Sequence, residues 1–189
     1  PAGTSTNNVV NATKLTVKNV TFSAKEGLGT SDGIALKFTG SGTFTDCIFK
    51  GSNGVRWSYA KGDVVFKGCK FGTNNSIYGV HFDEGPGAIT LIDCEINGWT
   101  SFGNTIKEVN LTNCKLFNNY SKNEWKVLRF YQNATLSNCT FPSDMAEIGG
   151  AKTGITITIN NCGDVSSYIK DHTNPKTVKF VVDGKIITK

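Results

Sequence analysis

No stretch of this 189-residue chain approaches the 18 or more apolar residues of a membrane-spanning helix, so no membrane insertion is expected. A basic segment followed by an apolar one is missing from the start, which reads Pro1-Ala-Gly-Thr-Ser-Thr-Asn-Asn8. The chain is therefore expected to be a piece of a longer, exported protein. Charge of one sign is nowhere concentrated: the 20 Lys/Arg that give a net +5 are scattered, which offers nucleic-acid binding little support. No two cysteines lie two to four residues apart, so neither a zinc pair nor a C-x-x-C redox pair is present. No metal or cofactor is expected. Helical periodicity is also scarce; only 144–148 and 166–171 read as short helical candidates.

What is present is a repeated phrase. An apolar residue, any residue, Asn/Asp/Gly, Cys, any residue and another apolar residue recur around Cys47, Cys69, Cys94, Cys114 and Cys139, with a degenerate copy at Cys162. An earlier copy, Val17-Lys-Asn-Val20-Thr-Phe22, has Val20 in the cysteine slot. Successive slots are separated by 27, 22, 25, 20, 25 and 23 residues. Self-similarity at such a period marks a solenoid. Cysteines in one slot would stack about 4.8 Å apart with parallel Cα–Cβ bonds, whereas a disulfide needs Cβ atoms about 3.8 Å apart and aimed at each other. A ladder of buried thiols is expected instead.

Each repeat also carries period-two runs rich in β-branched and aromatic residues, such as Asp63-Val-Val-Phe66 before the phrase and Tyr78-Gly-Val-His-Phe82 after the loop. The Asn/Asp/Gly column (Asn19, Asp46, Gly68, Asp93, Asn113, Asn138, Asn161) consists of the residues that tolerate a left-handed backbone. A bend there, repeated coil after coil, would turn the chain from one sheet to the next. The expected fold is all-β: a right-handed parallel β-helix of about seven coils over 14–162, after a lead-in at 1–13. Residues 163–189 are expected to cap it with a short helix or turn and a hairpin at Asp183-Gly184. The leucine spacing of leucine-rich repeats is missing, and an antiparallel sandwich would not place six cysteines in one slot.

The phrase, its period and the Thr/Asn-rich loops resemble the parallel β-helix of the pectate-lyase-like superfamily over roughly residues 14–162. More narrowly, they are similar to adhesin-like β-helix domains of bacterial surface proteins. The resemblance implies an extracellular or cell-surface setting, and a family that contains lyases, hydrolases, phage tailspikes and non-enzymatic modules. Its calcium lyases need clustered outward carboxylates. Here Asp46 and Asp93, and likewise Asp63 and Glu108, lie two coils apart, about 9–10 Å.

With Leu36, Trp57, Val80 and Leu128 inward alongside Phe38, Tyr59, Phe82 and Phe130, the outward column reads Lys37, Ser58, His81, a poorly registered Thr105 and Arg129, with Arg56 beside it. That cationic strip is expected to meet a glycan or a host or microbial surface protein. Trp99 and Trp125 fall where loops should leave the coil and are candidates for stacking on sugars. Neither a carboxylate dyad nor a nucleophile–base pair stands out. The expectation is a non-catalytic adhesion or binding module. The alternatives are a polysaccharide lyase or glycoside hydrolase fragment, or a tailspike fragment.

Overall fold

The computed structural model describes residues 7–72, 76–117 and 126–188. They form a parallel β-solenoid of about seven turns. Strands stack in three lines along its axis. One line holds the phrase-leading strands, among them Ile89–Ile92, Val109–Thr112, Ala134–Ser137 and Thr156–Asn160, paired in parallel without a register shift. A short strand follows each of the first phrases, from Thr21–Ser23 to Lys115–Leu116. The third line holds Tyr78–Glu84, Trp99–Phe102, Val127–Phe130, Glu147–Gly150 and Ile169–Asp171. In the early coils the first and third lines run together as the long strands Asn7–Lys18, Ile34–Thr45 and Asn53–Lys67. Among the described residues, no helix is long and apolar enough to cross a membrane.

The corner column does what its residue types allow. All seven positions are left-handed, with φ from 51° at Asp46 to 63° at Gly68. An ordinary L-residue pays about 1–2 kcal/mol for that conformation, and Asn, Asp and Gly pay least. The side chains then bond up the stack: Asn113 Nδ2 donates to Asp93 Oδ1 (2.9 Å), Asn138 Nδ2 to Asn113 Oδ1 (3.2 Å) and Asn161 Nδ2 to Asn138 Oδ1 (2.8 Å). Asp183, also left-handed, extends the column by accepting the Asn161 N–H. Beyond it, Lys179–Val182 and Lys185–Ile187 pair as an antiparallel hairpin across Asp183-Gly184.

The corner turns the next side chain inward, so the cysteines form a dry column. Cys47, Cys69, Cys94, Cys114 and Cys139 are buried, Cys162 is half-buried, and all six are free. Each buried thiol donates to a carbonyl one coil back, as Cys69 does to Phe44 O (3.4 Å) and Cys114 to Leu91 O (3.4 Å). Val20 occupies the same slot in the first coil and is 38% exposed. Burial pushes the Cys47 thiol up, and the hydrogen bond with Cys139, together with burial, pushes Cys162 up. Cys162 is alone among the six in being only half-buried, so a thiol reagent such as Ellman's is expected to modify it first under native conditions, and slowly, because its raised pKa disfavours the reactive thiolate. The other five should react only at the rate of global unfolding, and prompt modification of all six would contradict the ladder.

Aromatic rings repeat with the coils. Phe22, Phe49 and Phe71 form one stack, at centroid distances of 5.2 and 4.8 Å, and Phe44 and Phe66 form a second at 5.0 Å. Full burial of such a side chain is worth about 1.5–3 kcal/mol.

Three local expectations are corrected. The stretches 144–148 and 166–171 are not helical; Glu147–Gly150 and Ile169–Asp171 are strands that continue the third line by pairing with the coils beneath them. Trp57 and Tyr59 are not in the core. Trp57 is left-handed (φ 54°), and between Val55 and Ser58 the strand carries one residue more than its neighbour between Val80 and Phe82. Such a bulge reverses the alternation that follows it. Ser58 is consequently buried, where its Oγ accepts the Phe38 N–H (2.9 Å), while Tyr59 is 37% exposed. Finally, Trp99 opens a strand rather than a loop.

Candidate functional site

On the outer face of the third line, one coil presents small groups between two coils that present large ones. Ser101 is in register with His81 on one side and Arg129 on the other. Two residues on, Gly103 faces Asp83 and Tyr131 belongs to the following coil. The hydroxyl and the missing side chain leave a cavity of about 320 Å³, walled by Tyr78, Trp99, His81, Asp83, Arg129 and Tyr131 and edged by Asn104. That volume is at the low end of small-molecule sites, about 300–1,000 Å³.

A second irregularity aims the walls. Between Tyr78 and His81 the strand again carries one residue more than its partner between Trp99 and Ser101. Tyr78 and His81 therefore both point outward although they are three apart. Tyr78 stacks on Trp99 (5.7 Å, 19°), and the imidazole of His81 rests against Trp57 (5.7 Å) and Tyr78 (5.5 Å). Rings stacked on one another along the axis use up their faces, so Tyr78 and Trp99 offer the cavity edges more than platforms.

The polar groups converge as a chain. Ser101 Oγ lies 2.9 Å from His81 Nδ1, and His81 Nε2 lies 2.9 Å from Asp83 Oδ1. A carboxylate only accepts, so the proton belongs on Nε2 and Nδ1 receives the Ser101 hydroxyl. Asp83 Oδ2 is buried and has no hydrogen-bond partner among the described residues. Across the cavity, Arg129 Nε donates to Glu147 Oε1 (2.9 Å), an oxygen that also lies 2.9 Å from His172 Nε2. The Glu147 side chain is only 7% exposed. Burial lowers the Arg129 pKa, but the hydrogen bond and charge of Glu147 more than offset this, leaving it raised.

The residues singled out in the sequence separate here. His81, Arg129 and Trp99 line the cavity. Arg56 is 4% exposed, with its guanidinium over the Trp57 ring (4.0 Å) and the Tyr78 ring (3.4 Å). Burial pulls its pKa below the ordinary value, while Tyr78 and Asp83 act the other way. Lys37 is half-buried in the coil below, in register with Val9. Trp125 lies outside the described residues. Thr105 is not the residue between His81 and Arg129; its hydroxyl accepts the Gly85 N–H (2.9 Å). The outward row is thus less cationic than its composition. Arg56 is sunk among rings, Arg129 is bound to Glu147 and His81 is bound to Asp83.

Ser101, Gly103 and Glu147 were not singled out in the sequence. The alternation of Trp99-Thr-Ser-Phe102 was the available signal for the first two, masked by the turn-like Asn97-Gly98 before it. Among the described residues, no three His, Cys, Asp or Glu side chains are grouped so as to hold a metal ion. No protein-family model, curated protein or solved structure matches this chain.

Proposed function

We propose that this chain is a recognition module of an extracellular or cell-surface protein, a right-handed β-helical rod of the pectate-lyase-like, adhesin-like kind, which holds a sugar unit of a glycan in its side cleft. The observation that carries this reading is the cavity itself. Hydroxyl, imidazole, carboxylate, amide, guanidinium and phenol groups from Ser101, His81, Asp83, Asn104, Arg129 and Tyr131 surround one sugar-sized space. Few convergent polar groups within aromatic walls is the general form of a small-molecule site. Because Arg129 is bound to Glu147 beneath the cavity lining and Asp83 to His81 within it, the ligand favoured is a neutral polyhydroxyl compound rather than a polyanion.

Asn104 sits exposed at the rim, so Asn104→Trp should block the cavity without touching the core. On a glycan array the wild type is expected to retain neutral glycans in preference to polyuronates, and Asn104→Trp to lose at least about tenfold in affinity, roughly 1.4 kcal/mol. Equal binding by both proteins would remove the cleft from the reading. Retention of polyuronates alone would remove the neutral ligand.

A further inference from the structure

We propose that Ser101, His81 and Asp83 act as nucleophile, base and orienting carboxylate in hydrolysing a small O-acyl ester carried by the bound sugar, an activity that rests on the cleft being a glycan site. The chain of contacts has the required order: hydroxyl to imidazole at 2.9 Å, imidazole to carboxylate at 2.9 Å. Neither distance depends on a loop. His81 and Ser101 are register partners on adjacent strands, and Asp83 follows His81 by two residues on the same face. Trp57 and Tyr78 pack against the imidazole. Such rigid support is what a nucleophile–base pair needs for a productive geometry.

The steps balance without a co-reactant other than water. Ser101 Oγ attacks the ester carbonyl carbon as its proton passes to His81 Nδ1. The carbonyl oxygen becomes an oxyanion, and Arg129, in register with Ser101, is the cation lining that cavity. Asp83 remains ionised and stabilises the imidazolium through Nε2–H. Collapse breaks the bond to the sugar oxygen, which takes the proton from Nδ1 and leaves as the alcohol. Water, deprotonated by the same nitrogen, then attacks the acyl-serine carbonyl; the carboxylic acid departs and the hydroxyl is restored. Ester and water become acid and alcohol, with no change of oxidation state. Ser101 is only 6% exposed, at the floor of the cavity, so the acyl group must enter it; an acetyl group is the class that fits.

The test uses the whole chain, a fluorophosphonate probe, 4-nitrophenyl acetate and an acetylated xylo-oligosaccharide. The probe is expected to label Ser101, located by peptide mass spectrometry, and not to label Ser101→Ala. Acetate release should fall about 10³-fold in Ser101→Ala and His81→Gln. In Asp83→Asn it should fall about 10²-fold, with the midpoint of the pH–rate profile displaced and thermal unfolding unchanged. Labelling elsewhere, or a wild-type rate in Ser101→Ala, overturns the proposal. Calorimetry with the same oligosaccharide separates the two readings. Binding by wild type and Ser101→Ala without acetate release by wild type overturns hydrolysis and leaves the cleft as a binding site; absence of binding by either overturns both.

Discussion

Phe66→Ala is expected to lower the free energy of unfolding by about 3–5 kcal/mol, the range for removing a buried phenylalanine ring. Phe66 is fully buried and touches rings from all three strand lines. It stacks on Phe44 one coil below (5.0 Å, 20°) and meets Phe49 (5.9 Å), Phe71 (5.1 Å) and Phe82 (6.2 Å) edge-on or tilted. Its neighbours belong to backbones locked into parallel pairing along the axis, so the cavity left by the ring has little freedom to collapse. For a chain of this length the loss corresponds to a fall in Tm of roughly 6–20 °C. Because coils contact only their neighbours, hydrogen exchange should accelerate first in the coils around Phe44, Phe66 and Leu91. A loss below about 1 kcal/mol would mean that the stack does not hold the coils together.

Gly103→Ala should be comparably severe, for a different reason. A Cβ built on Gly103 would lie 1.4 Å from the carbonyl oxygen of Asp83 and 2.2 Å from its carbon. Both are backbone atoms, so no side chain can rotate away, and the two coils would have to part where Gly103 N donates to Phe82 O. A cost of about 3 kcal/mol, the upper end for overpacking, is expected. The same displacement moves Asp83, which belongs to the cleft, so neutral-glycan binding should fall with stability. Gly29→Ala serves as the control. Nothing lies within 4 Å of its added methyl and its φ is not positive, so its effect should stay within about 0.5 kcal/mol. Equal effects of the two substitutions would show that the close approach at Gly103 is not what limits the chain there.

Legibility in the sequence followed repetition. The cysteine slot, the Asn/Asp/Gly corner and the apolar positions on either side meet the same demands in every coil, a left-handed bend and then an inward side chain. The residue types that satisfy those demands therefore recur, and they specify a parallel solenoid. The phenylalanines at 38, 82 and 130 were placed inward for the same reason. The cleft is the opposite case, because it depends on departures from the repeat. A left-handed residue at Trp57 and an extra residue between Tyr78 and His81 each shift the side-chain alternation, and neither leaves a compositional mark. Loops of unequal length, reflected in slot intervals from 20 to 27 residues, hide which outward residue of one coil faces which of the next.

By itself, then, the order of residues determined that coils stack, where each one bends and what fills the interior, since those follow from local backbone preference and the burial of apolar side chains. Only the tertiary structure decided that Ser101 lies between His81 and Arg129, that Arg56 is buried against rings, and that Glu147 holds Arg129. Those outcomes are set by register between strands some 20 residues apart, where a one-residue bulge exchanges inside for outside and no neighbouring residue announces it.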